Sequence, residues 1–114
     1  MTTYRPWGYY TNLSGDDNGP YKVKHIVVYP NKRLSLQIHT HRNEHWTIVK
    51  GQGIVQLGMD KHVVGVNRSI YIPKKTIHRI ECTSEENLEF IEVQVGNYLG
   101  EDDIVRLEDD FGRA

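Results

Sequence analysis

The sequence predicts an all-β fold, a sandwich or small barrel. Three observations carry that prediction. Apolar and polar residues alternate with period two through Leu34–His39 and Glu44–Lys50. About eight short strand-like runs follow one another at regular spacing, bounded by Gly, Pro, Asn or Asp. Glycine (10) and tyrosine (7) are frequent for 114 residues, which suits strands joined by tight turns.

The elements follow in chain order. Arg5–Leu13 reads as a strand that could add to a partner's sheet edge. Tyr21–Val28 alternates at its start and then turns apolar. In Leu34–His39, the residues Leu34, Leu36 and Ile38 take one face and Ser35, Gln37 and His39 the other. Glu44–Lys50 puts Glu44, Trp46 and Ile48 on one face and is punctuated by Gly51-Gln-Gly53. Ile54–Leu57 and Lys61–Val66 read as a hairpin across Gly58-Met-Asp60. Ser69–Ile72 is stopped by Pro73, and His78–Cys82 and Leu88–Val95 are the last clear strands. In Gly100–Asp110, acidic residues lead into Ile104 and Leu107, three apart, so a short C-terminal helix is expected there. No βαβ pattern, repeat or linker interrupts the chain, and residues 1–114 are expected to form one domain.

Composition narrows the function classes. Fourteen basic and fifteen acidic residues give a net charge of −1, so neither nucleic acid nor an anionic membrane is an expected partner. One cysteine, Cys82, excludes an internal disulfide and fits a reducing, cytoplasmic compartment. No apolar run approaches the ~18 residues of a membrane span.

The chemistry-bearing residues are a split set: Gln37, His39, Glu44 and His78. Gln37 and His39 are two apart and share a strand face. Two imidazoles, a carboxylate and an amide oxygen suit a divalent metal if the fold gathers them. His41 and His45 crowd the same turn and are expected near the substrate rather than on the metal. Trp7 and Trp46 read as core. Cys82 reads as a small buried residue on His78's face, and Arg42, Arg113, His25 and His62 as surface residues.

The order Gln37-x-His39, Glu44 and Gly51, followed by Pro73 and His78, resembles the two cupin motifs, with glutamine in place of the usual first histidine. The runs Arg5–Gly8, Leu34–His39, His41–Trp46, Tyr71–Pro73, Ile91–Gln94 and Tyr98–Arg106 resemble the type II mannose-6-phosphate isomerase family. That resemblance implies a cupin double-stranded β-helix, or jelly-roll barrel. It implies metal-dependent interconversion of mannose 6-phosphate and fructose 6-phosphate through an enediolate, in mannose and polysaccharide metabolism. In that family the cupin is commonly fused to a guanylyltransferase. No glycine-rich nucleotide signature occurs in these residues, so that second activity is not carried over. Lys75 stands where the motif usually has glycine, and Cys82 where it usually has asparagine; a strained turn is therefore expected before His78.

The resemblance implies Gln37, His39, Glu44 and His78 as ligands of one divalent ion. Zinc is the first choice, and nickel, manganese, cobalt and iron also suit such donors. Glu92 is the implied base, and Arg106 the implied holder of a phosphate or of developing negative charge. The substrate would be a small hexose phosphate and the assembly a homodimer. Two other readings stay open: a non-catalytic metal-bearing module acting with a separate guanylyltransferase, and a small iron-dependent cupin dioxygenase.

Overall fold

A computed structural model describes residues Met1–Ala114. Eleven strands build two antiparallel sheets: β1 (Thr2–Arg5), β2 (Gly8–Gly15), β3 (Tyr21–Val28), β4 (Leu36–Ile38), β5 (Arg42–Lys50), β6 (Gln52–Leu57), β7 (Asp60–Gly65), β8 (Ser69–Ile72), β9 (His78–Cys82), β10 (Leu88–Gly96) and β11 (Val105–Glu108). One sheet runs β1-β2-β3-β10-β5-β8 and the other β11-β4-β9-β6-β7. No helix is long and apolar enough to cross a membrane.

Two expectations are corrected. The segment after Gly100 forms β11 rather than a helix, pairing Val105 with Ile38 and Arg106 with Gln37. Its acidic residues have tertiary partners instead of a helix end to cap. Glu101 pairs with Lys24, and the Asp103 carboxylate accepts from the backbone N–H groups of Thr40 and His41. The Arg5–Leu13 strand is split at Pro6-Trp7, and its second part pairs with this chain's own β3 rather than serving only as an edge.

Register divides the barrel interior into two layers. The inward residues of β3 read Lys22, Lys24, Ile26, Val28; those of β10 read Gln94, Glu92, Phe90, Leu88 at the same levels. On the other side of β10, Glu44 lies opposite Gln94, Trp46 opposite Glu92 and Ile48 opposite Phe90. β3 and β10 thus change from polar to apolar at one height, and β5 one step earlier, at Trp46. The apolar half is the core, where Ile26, Val28, Ile48, Val55, Ile80, Leu88 and Phe90 are buried together with Trp7, Trp46 and Cys82. Burial of this kind stabilises by roughly 25 cal/mol per Å² of apolar surface. The polar half is a chamber whose charges must be paired to be tolerated.

Two turns shape the chamber's surroundings. Gly51 has φ +80 where a Cβ would lie 2.5 Å from the Asn87 carbonyl oxygen, so only glycine fits between β5 and β6. Lys75, in the turn between β8 and β9, has φ +65 and donates its N–H to the His39 carbonyl at 2.6 Å. The left-handed turn is thus built with lysine in place of glycine.

Candidate metal centre and its chamber

The chamber gathers side chains from both sheets. β4 contributes Gln37, and His39 lies just beyond it; β9 contributes His78, directly across from Gln37. β5 contributes Glu44 from the facing sheet. Ligand atoms of His39, Glu44 and His78 all lie within 4.8 Å of one another, and all three residues are buried. Gln37 is buried in the same chamber, where its Oε1 accepts from Ser35 Oγ at 3.1 Å.

The imidazoles are oriented by backbone. His39 Nδ1–H donates to the Asp103 carbonyl at 2.7 Å, and His78 Nδ1–H donates to the Thr76 carbonyl at 2.9 Å. Each ring therefore keeps its lone pair on Nε2. The Nε2 of His78 is buried with no hydrogen-bond partner. Burial, with help from Arg42 and His78, holds His39 neutral down to about 4, against the pull of Glu44. Burial likewise lowers His78. Burial alone would raise Glu44, but the charge of Arg42, together with His39 and His78, outweighs it and keeps the carboxylate ionised well below its usual range. Two neutral imidazoles and an ionised carboxylate, fixed from behind by carbonyls, fit a divalent cation.

Glu92 lies opposite Trp46 and Lys24 on the neighbouring strands. Trp46 Nε1–H donates to Glu92 Oε1 at 3.1 Å and Gln94 Nε2–H to Glu92 Oε2 at 2.7 Å. Burial first, then the charge of Glu44, push the Glu92 carboxyl up to about 8. One carboxylate is thus kept ionised and its neighbour kept ready to take and release a proton, the separation of roles expected of acid–base sites.

A cavity of about 100 Å³ opens along this polar half. Gln37, His39, Glu92 and Arg106 line it. His41 and His45 do not. His45 follows Glu44 on a pleated strand, so it lies on the outer surface, where its ring stacks on Tyr71 at 4.8 Å. His41 is exposed beside Tyr98. These two, expected near the substrate, lie outside the cavity lining, His45 through the same alternation that brings Glu44 inside.

Four contributors escaped the sequence reading. Arg42 is buried rather than superficial: its Nε–H donates to Glu44 Oε2 at 2.7 Å, and its Nη2 lies 3.2 Å from His39 Nε2. Its signal was parity, since it shares a face with Glu44 and Trp46. Lys24 and Gln94 were legible in the same way, through Ile26 and Phe90. Asp103, which holds both the His39 ring and the following turn, had no sequence signal beyond its charge. His25, read as superficial, is half-buried and bonds Glu89 at 2.8 Å.

Comparison with known proteins agrees with this architecture. A conserved protein with a double-stranded β-helix domain from Klebsiella pneumoniae superposes with a TM-score of 0.78 at 13% identity, covering 94% of this chain and 90% of that one. The alginate biosynthesis protein AlgA of Pseudomonas aeruginosa is 50% identical over 111 residues, 97% of this chain and 23% of the relative. A mannose-1-phosphate guanylyltransferase of Escherichia coli is 46% identical over 111 residues, with the same coverage of 97% and 23%. The chain therefore spans about a quarter of the length of these curated relatives. The model of the family described as "Mannose-6-phosphate isomerase C-terminal" matches residues 1–109. Sharing that family's pattern from Met1 to Asp109 on a cupin barrel, the chain belongs to the mannose-6-phosphate isomerase C-terminal family.

Proposed function

We propose that this domain interconverts mannose 6-phosphate and fructose 6-phosphate with one divalent ion, zinc first, in the supply of activated mannose for polysaccharide synthesis. The observation that carries the reading is the pairing of a metal-ligand cluster with a second carboxyl, Glu92, that burial and Glu44 push up to about 8. Gln37, His39, Glu44 and His78 would hold the ion. When bound, it would polarise the substrate carbonyl as a Lewis acid.

The chain's own residues account for the rest. Glu92 removes the proton from the carbon beside the carbonyl and returns it to the neighbouring carbon. Its raised proton affinity suits that work near neutral pH. Trp46 and Gln94 fix the two oxygens of Glu92, so the base has a defined position. Arg106 lines the same cavity and supplies a guanidinium for an oxyanion of the substrate.

The test is a coupled assay with fructose 6-phosphate and added Zn²⁺ or Co²⁺, run beside metal analysis. Turnover that follows metal content supports the reading. A metal-loaded protein with no turnover of either hexose phosphate overturns it, and oxygen uptake in that sample would point to the dioxygenase chemistry open to two histidines and a carboxylate.

A further inference from the structure

The charges lining the cavity fall into two groups. Around Glu92, the strongest electrostatic neighbours are Glu44, Arg42 and Lys24. The positive members of that group are neutralised: Lys24 by Glu101 at 2.6 Å and Arg42 by Glu44 at 2.7 Å. The second group is built from both ends of the chain. Arg5 closes β1, Arg106 lies in β11 and Arg113 follows it, and all three line the cavity. After burial, the strongest influences on Arg106 are Arg113, Asp109 and Arg5.

This second group is short of negative charge. Arg113 bonds Asp109 through Nε at 2.8 Å and Nη2 at 3.2 Å. Neither Arg5 nor Arg106 makes a salt bridge to a carboxylate; Arg5 donates only to the Tyr4 carbonyl, at 3.1 Å. The Nε of Arg106 is buried with no partner. Three guanidinium charges against the single carboxylate of Asp109 leave two positive charges in the lining of one cavity. A phosphate monoester carries about −1.5 to −2 at pH 7 and accepts paired N–H donors from guanidinium.

We propose that Arg5, Arg106 and Arg113 form the subsite for the phosphate group of the sugar phosphate. The inference rests on the isomerase reading for the identity of the whole substrate, but its chemistry is that of a phosphate monoester. The subsite sets the orientation. With the phosphate held among the arginines, the carbonyl end of the sugar extends toward Glu92 and the ligand cluster. Arg106 is then a phosphate-binding residue, and Arg5 and Arg113 are specificity residues that separate hexose phosphates from free hexoses.

The test titrates the metal-loaded protein with inorganic phosphate by amide NMR and measures fructose 6-phosphate kinetics. Arg5→Gln, Arg106→Gln and Arg113→Gln are compared with Arg33→Gln, an arginine that pairs with Asp110 and does not line the cavity. The expected result is that each of the first three weakens phosphate binding and raises KM by at least about 10-fold, with kcat much less affected. Arg33→Gln leaves both unchanged. If Arg106→Gln fails to fold, Arg5→Gln and Arg113→Gln, on the two terminal segments, decide the matter. Wild-type turnover with phosphate affinity and KM untouched in these variants overturns the subsite and leaves the isomerase reading standing. Arginine-dependent phosphate binding without turnover of any hexose phosphate supports the subsite and removes the isomerase reading. Absence of phosphate binding to the wild type overturns the subsite.

Discussion

Glu44 and Glu92 share one proton donor: the Nε1–H of Trp46 lies 2.9 Å from Glu44 Oε1 and 3.1 Å from Glu92 Oε1. A residue expected only to fill the core thus ties the ligand cluster to the candidate base. Trp46→Phe keeps the ring against Phe90 and removes the donor. Urea denaturation is expected to show a loss of roughly 1–3 kcal/mol, the cost of leaving buried acceptors unpaired. Turnover is expected to fall, and its rise with pH to move upward, since an ionised Glu92 would have lost a hydrogen bond.

Glu92→Gln tests the base directly. Glutamine keeps the shape and can still accept from Trp46, so folding and metal content should match the wild type. Isomerase kcat is expected to drop about 10²- to 10⁴-fold. Wild-type turnover in this variant would end the assignment of Glu92.

Metal-free protein is expected to weaken in acid through His39. Burial holds the folded-state value at about 4, below the ordinary 6.5. In that window the unfolded chain takes up a proton that the folded chain refuses. The contribution is therefore intact above pH 6.5 and lost as pH falls toward 4, amounting to roughly 3 kcal/mol. Glu92 works in the opposite sense: its folded value is raised to about 8, so it favours folding as pH falls from 8 toward 4.5. The measurement is thus a difference: the urea midpoint of the wild type minus that of His39→Asn, followed from pH 7.5 to 4.5. A flat difference would contradict the account.

Lys75 stands at φ +65, where an L side chain costs roughly 1 kcal/mol or more. Lys75→Gly is expected to raise stability by up to about 1 kcal/mol and leave metal content unchanged, because the N–H bonded to the His39 carbonyl remains. Lys75→Pro removes that N–H and forbids the angle, so it should destabilise both the fold and the site. Thermal melts and metal analysis of the two variants check the pair.

Much of this was legible in the sequence, and for one reason. Period-two alternation is a local property, and Ser69–Ile72 and His78–Cys82 were read to their last residue. The same alternation draws Arg42 inward and sends His45 outward, where residue type points the other way. What stayed hidden depends on partners distant in sequence. An acidic lead-in is a good helix start until Lys24 and the turn at Thr40 claim its carboxylates. Nothing local to Gly100–Asp110 announces those partners. The arginine cluster is hidden for the same reason, since Arg5 and Arg113 line one cavity only because both chain ends return to it.

The register of β3 on β10 makes this a fold of long-range pairings. Tyr21 pairs with Val95 and Val28 with Leu88, so the central strands of the larger sheet join segments from opposite parts of the chain. Loops this long close slowly, and topologies dominated by such pairings fold in milliseconds to seconds. His39, Glu44 and His78 come from both sheets, so no single strand or hairpin offers a cation the complete set of donors.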